Sequence, residues 1–141
     1  MIFTTREMSI GDYADVMRLW QETEGMGLSS ADSPEAISRY LARNPGMSFV
    51  AVSEQGELAG AVLCGHDGRR GYLHHLAVRE AFRREGLAKT LVESCLERLR
   101  QAGIEKCHIF VYNTNEVGQA FWKAMGWTER TTLIIMSKDI E

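Results

Sequence analysis

The chain has 141 residues, 45% of them hydrophobic and 25% charged, with a formal net charge of −3. This length predicts one domain, residues 1–141, with a core of its own. The acidic balance excludes a nucleic-acid binder driven by bulk charge, and no apolar run reaches the roughly 18–20 residues of a membrane span.

Residues 2–7 predict a short strand, and Ser9 and Asp12 start a helix that runs to about Thr23. Gly25 to Ser33 is rich in Gly and Ser and predicts a loop. Ser33-Pro34-Glu35 restarts a helix, with Ser33 as N-cap and Pro34 at its first position; that helix ends before Asn44-Pro45-Gly46. A three-strand meander follows: Ser48 to Ser53, Leu58 to Cys64 and Tyr72 to Val78, joined by turns at 54–57 and 66–71. Apolar residues at 87, 88, 91, 92, 95, 96 and 99 recur at helical spacing, and Gly103 caps that helix. Lys106 to Tyr112 predicts a strand, Glu116 to Met125 a helix, and the stretch from Trp127 to about Ser137 a final strand pair.

The strand–helix–strand step around residues 72–112 predicts a right-handed crossover and a parallel pair, 72–78 beside 106–112. The N-terminus lacks the basic-then-apolar layout of a signal peptide. Cys64, Cys95 and Cys107 sit inside apolar patterns without metal-ligand spacing, which predicts buried free thiols in a reducing cytoplasm and no metal.

Between the third meander strand and its helix lies Arg83-Arg84-Glu85-Gly86-Leu87-Ala88-Lys89. A helix start offers unpaired N–H groups and the positive end of the helix dipole. Gly86 lets a ligand approach the backbone closely. The turn suits a diphosphate; read alone, it also fits a solvated basic loop.

The order of residues adds a resemblance. Arg83-x-x-Gly86-x-Ala88, the strand Tyr72–Val78 before it, and the segment Asn115 to Trp127 after it together resemble the GNAT superfamily of acetyl-CoA-dependent N-acetyltransferases, over roughly residues 47–138. The resemblance implies an α/β fold with a mixed, mostly antiparallel sheet, one parallel strand pair that splays apart, and about four flanking helices. It implies that backbone N–H groups of Arg84, Glu85, Gly86, Leu87, Ala88 and Lys89, with the Arg83 side chain beside them, hold the diphosphate of acetyl-CoA. It also implies that Leu76, Ala77 and Val78 pair with the pantetheine arm, one N–H polarising the acetyl carbonyl. Asn115 would bond the pantetheine or orient its turn, and it also fits an ordinary helix N-cap.

A protonated amine is no nucleophile, so a base is needed, and histidine serves near neutral pH. Strand alternation predicts that His74 and His75 point to opposite faces, with Tyr72 and His74 on the face of Leu76 and Val78. The run Leu73 to Arg83 is similar to the matching strand of arylalkylamine N-acetyltransferases, which carry His-x-His there. Their second histidine matches His74, and Tyr72 stands where the first would be. His74 is therefore the candidate general base; His75, His66 and His108 read as structural. Many GNAT enzymes place an acidic tyrosine where this chain has Trp122, and indole donates only a hydrogen bond. Trp122 can pack against the pantetheine or sulfur, and Tyr112 is the substitute acid. Phe110 stands where ribosomal-protein alanine acetyltransferases carry a glutamate.

The sequence thus reads as a cytoplasmic N-acetyltransferase, monomer or homodimer, acting on a small-molecule or peptide amine in a ternary complex. The loop Gly25–Ser33 is the acceptor wall, with Glu22, Glu24 and Tyr72 as candidate acceptor contacts. The rival reading is a non-catalytic acyl-CoA-binding or regulatory module of the same fold.

Overall fold

The computed structural model describes residues 1–140. Met1–Phe110 forms one compact unit, and a second begins at Val111. The first unit is built on a five-stranded sheet in the order β1 to β5: β1 Phe3–Glu7, β2 Phe49–Ser53, β3 Leu58–His66, β4 Gly71–Val78 and β5 Cys107–His108. Neighbours are antiparallel except β4 and β5, which are parallel as the crossover requires. Helices α1 Tyr13–Glu22, α2 Pro34–Arg43 and α3 Leu87–Gln101 belong to this unit, and α4 Glu116–Ala124 to the second. Among the described residues, no helix is long and apolar enough to cross a membrane.

The helices start where local chemistry dictates. Asp12 accepts from the Ser9 backbone N–H at 2.9 Å and is gripped by both Arg6 guanidinium nitrogens at 2.8 and 2.9 Å. Ser33 caps α2 by accepting from Ala36 N–H at 3.1 Å, with Pro34 at the first position. Beyond α3, Gly103 has φ +81° and donates to the Arg100 carbonyl.

The sheet separates two packed layers. On one face α3 lays down Leu87, Leu91, Val92, Cys95 and Leu99, all buried. Glycines in the sheet accommodate it: a Cβ on Gly71 would meet the Leu99 side chain at 2.7 Å. On the other face Val16, Leu19 and Trp20 of α1 and Ile37 of α2 pack with Val50, Ala61, Leu63 and Ala77. Cys64 and Cys95 are buried thiols, and Cys107 is half-buried with its pKa pushed up to about 12 by burial.

Two strand expectations are corrected. β5 covers only Cys107–His108 instead of 106–112, pairing Gly71 with Cys107 and Tyr72 with His108. From Leu73 onward, no strand among the described residues pairs with β4 on that edge. No strand forms over 127–137, where the apolar run Leu133–Met136 is exposed. An apolar run becomes a strand only with a neighbour to bond to, and the described residues of the second unit supply none.

Candidate active site

The centre of the site is a defect in β4. Ala61 faces Ala77 and Leu63 faces His74, so His75 and Leu76 together oppose Val62. This is a β-bulge, and it kinks the strand. His75 carries the kink at φ +55°, a left-handed conformation unusual for a residue with a Cβ.

The bulge cancels the alternation expected of a regular strand. His74 meets Tyr40 of α2, with ring centroids 6.1 Å apart, while His75 meets Trp20 of α1 at 4.9 Å. Both imidazoles therefore lie on the α1–α2 face, against the expectation of opposite faces. Past the bulge the phase is reversed: Ala77 joins the α1 core, and Val78 approaches Gly60 on the α3 face. Tyr72 and His74 thus do not share a face with Val78, a second correction with the same cause.

The surroundings of the two histidines differ. His74 lies in an aromatic enclosure: Tyr72, His74 and Phe110 are nearly parallel, with centroids 6.1–6.3 Å apart. Burial, then the neighbouring His75, pushes the His74 pKa below the usual histidine value. The His75 ring instead bonds through Nε2 to Asp32 Oδ1 at 2.9 Å. The His75 main-chain carbonyl accepts the Trp20 indole N–H, also at 2.9 Å.

Asp32 lies in a 3-10 turn, Ser30–Asp32, inside the segment expected to be plain loop. It is 6% exposed. Its Oδ2 accepts from Ser29 N–H at 3.1 Å, and its carbonyl accepts the Tyr13 hydroxyl at 2.5 Å. Sequence reasoning does not single out Asp32. The signal present was Ser29-x-x-Asp32, a capping-box spacing just ahead of the Ser33-Pro34 helix start.

Beyond β4, Arg79 anchors the chain, its N–H on the Ala59 carbonyl at 2.7 Å and its Nε on Leu58 at 3.1 Å. Arg83 Nε donates back to the Val78 carbonyl at 3.0 Å. Arg84 and Gly86 then take φ +69° and +78°, and Gly86 is the N-cap of α3. Thr90 N–H bonds Gly86 O, so the N–H groups of Leu87, Ala88 and Lys89 have no helical carbonyl one turn back. A Cβ on Gly86 would meet nothing within 4 Å. Arg83, Arg84 and Lys89 are exposed around this open backbone, and Glu85 directs its carboxylate to the Met1 ammonium at 3.6 Å. Such a cradle of free N–H groups and cations at a helix start fits a diphosphate.

The other sequence candidates fall around and beyond this centre. Leu76 is half-buried and Ala77 buried in β4. Glu22 reaches Arg79 at 3.9 Å, and Glu24 is exposed in the turn after α1. In the second unit, Asn115 caps α4 by accepting from Gly118 N–H at 2.9 Å. Trp122 stands edge-on to Phe121 and Trp127 at 5.2 and 5.0 Å, and Tyr112 is exposed.

Residues 13–127 match the family model described as "Acetyltransferase (GNAT) family". An acetyltransferase of Pectobacterium atrosepticum is 32% identical over 106 residues, covering 74% of this chain and 73% of the relative. Ard1 from Thermoplasma volcanium shares the fold with a TM-score of 0.79 at 22% identity, covering 91% of this chain and 84% of its own. The PaiA N-acetyltransferase of Thermoplasma acidophilum, solved in complex with coenzyme A, has a TM-score of 0.74 at 19% identity and 89% coverage of both chains. The extent of the family match and the closeness of the Pectobacterium relative carry the conclusion that this chain is an acyltransferase belonging to the GNAT family of acetyltransferases.

Proposed function

We propose that the protein transfers the acetyl group of acetyl-CoA to a primary amine by direct attack in a ternary complex. The observation that carries this reading is the pairing of two features on one path of chain. The Arg84–Gly86 turn opens its backbone at the start of α3, and β4 just before it has lost its parallel partner beyond Tyr72. A diphosphate on the first and a pantetheine arm along the second are one continuous ligand.

In this reading the side chain of Arg83 and the backbone from Arg84 to Lys89 hold the diphosphate. Leu76, Ala77 and Val78 bond the arm, and Asn115 and Trp122 are assigned to the cosubstrate's thiol end. The fold neighbour solved with coenzyme A supports the choice of nucleotide. The acceptor is a small-molecule or peptide amine, for which Glu24, Tyr72 and the Arg79-paired Glu22 are the contacts proposed. The base would come from β4, where His74 is the sequence's candidate and burial favours its neutral form. Tyr112 is the candidate acid. The catalytic domain is taken as the whole of residues 1–141, since the family match crosses both compact units.

Calorimetry with acetyl-CoA, ATP and NAD, followed by thiol release against a panel of amines, tests the proposal. Selective acetyl-CoA binding with amine-dependent thiol release is expected. Binding without release from any amine would favour the non-catalytic module, and absence of acetyl-CoA binding would defeat both readings.

A further inference from the structure

We propose that His75, oriented by Asp32, takes the proton of the acceptor amine, with Nδ1 as the basic atom. This rests on the acetyl-transfer reading above and names the base within it.

The geometry is that of a carboxylate-oriented imidazole. Asp32 accepts at 2.9 Å, so Nε2 carries the ring proton and the lone pair lies on Nδ1. Asp32 itself cannot swing away: it is buried, and its second oxygen is held by the Ser29 N–H. Among the described residues, every fully buried side-chain nitrogen or oxygen has a hydrogen-bond partner. Nδ1 of His75 has none among them, so that atom is not fully buried, in a side chain that is 18% exposed.

The position is also suited to the task. His75 immediately precedes Leu76, the first of the three residues proposed to bond the cosubstrate arm. It meets α1 through Trp20 and the Gly25–Ser33 segment through Asp32, and that segment is the proposed acceptor wall. Two independent bonds hold a backbone conformation that costs energy for a non-glycine residue, one on the His75 carbonyl and one on its ring. Strain kept in place at a site is a reason to look for function there.

His74 makes the contrast. It has an aromatic enclosure and no carboxylate partner, so the imidazolium formed on accepting a proton would be stranded among rings. The imidazolium formed at His75 would lie against Asp32.

The acceptor ammonium gives one proton to Nδ1, which returns it to solvent. The neutral nitrogen attacks the thioester carbon, the C–N bond forms and the C–S bond breaks. The sulfur leaves as thiolate with the bonding pair, and the second proton lost from nitrogen neutralises it. His75 is the catalytic residue here and Asp32 a positioning residue. The titratable groups around the pair are His74 on β4 and Tyr13, whose hydroxyl bonds the Asp32 carbonyl and which also feels the charge of Glu35.

Two measurements test this. Long-range ¹H–¹⁵N NMR of the wild-type protein needs neither cosubstrate nor acceptor, and it should show neutral His75 as the Nε2–H tautomer. An Nδ1–H tautomer would overturn the proposal. The second measurement is kinetic, with acetyl-CoA and a panel of a polyamine, an aminoglycoside, an arylalkylamine and a peptide α-amine. His75→Asn tolerates the left-handed backbone but takes no proton. It should lower kcat by roughly 10²–10⁴ near neutral pH, with the loss narrowing as the pH approaches the amine's own pKa. Acetyl-CoA affinity should be unchanged. Asp32→Asn should show a smaller loss of the same pH dependence, with His75→Gln as the second variant if the first is misfolded by circular dichroism. A wild-type pH–rate profile in His75→Asn, with the loss appearing in His74→Asn, would return the role to His74. Failure of the wild type to bind acetyl-CoA would instead strike the acetyl-transfer reading, leaving the tautomer to decide the state of His75.

Discussion

Trp20 of α1 donates its indole N–H to the main-chain carbonyl of His75 at the bulge of β4, at 2.9 Å. Trp20 is fully buried, so this bond has no water to replace it. Trp20→Phe leaves the carbonyl without its donor, at a cost of about 1–3 kcal/mol. Thermal unfolding should show a midpoint lower by on the order of 5–10 °C. Because the bond holds the bulge and not the diphosphate turn, kcat should fall in the folded variant while acetyl-CoA affinity stays near wild type.

Gly86→Asp puts a Cβ on a backbone at φ +78° and a carboxylate where phosphate is proposed to sit. The space beside Gly86 is open and the left-handed backbone strains an aspartate by about 1–2 kcal/mol, a cost the fold should survive. Acetyl-CoA affinity by calorimetry should fall at least tenfold, about 1.4 kcal/mol. Unchanged affinity in the folded variant would remove the diphosphate site.

The lowered pKa of His74 has a consequence for stability. The unfolded chain binds this proton first, so stability is full above the ordinary value of 6.5 and falls as pH drops through it toward the folded value. Asp12 acts in a separate window. Chiefly the Arg6 hydrogen bond holds it below 3.8, so its contribution is lost only as pH falls below about that value. Urea titrations of wild type and His74→Gln between pH 5 and 7.5 should differ in slope, the variant being flatter. Identical slopes would mean that the imidazole is not desolvated.

Trp122→Tyr and Trp122→Phe separate two roles for the indole of α4. If thiolate departure limits the rate for want of an acid, Tyr should raise kcat several-fold, within the roughly 10²–10⁴ open to acid–base catalysis, and Phe should not. If Trp122 is a packing wall, both should weaken acetyl-CoA binding by on the order of 1–3 kcal/mol. Equal kcat in the two variants leaves only the packing role.

Much of the fold was legible in the sequence, and the reasons are local. Ser33-Pro34 announced α2, the apolar stripe from Leu87 to Leu99 announced α3, and the turn at Gly86 carried its own left-handed signal. The bulge was not legible. A strand's periodicity describes a regular pleat, and the extra residue at His75–Leu76 is set by contacts with Trp20 and Asp32, which lie 55 and 43 residues away in the chain. One unread residue inverted the facing of everything after it, including Val78. Asp32 was hidden for a similar reason: in a Gly- and Ser-rich segment an aspartate reads as solvated until its partner is placed beside it. The end of β5 at His108 was equally non-local, since the apolar character of Ile109–Val111 says nothing about whether a neighbouring strand is still within reach.

The short β5 leaves a further mark on the protein's behaviour. From Leu73 to Val78, no strand among the described residues pairs with β4 on that edge, and of its carbonyls those of His75 and Val78 are taken by the Trp20 and Arg83 side chains. An open edge of that kind will accept any extended chain, including another copy of itself. The ligand proposed for this edge would then act as a chaperone of its own enzyme, capping it while it waits for an acceptor. At equal concentration and temperature, light scattering should rise sooner in the ligand-free protein than in the protein saturated with coenzyme A. The difference should grow with protein concentration, as it must when the competing partner is a second chain.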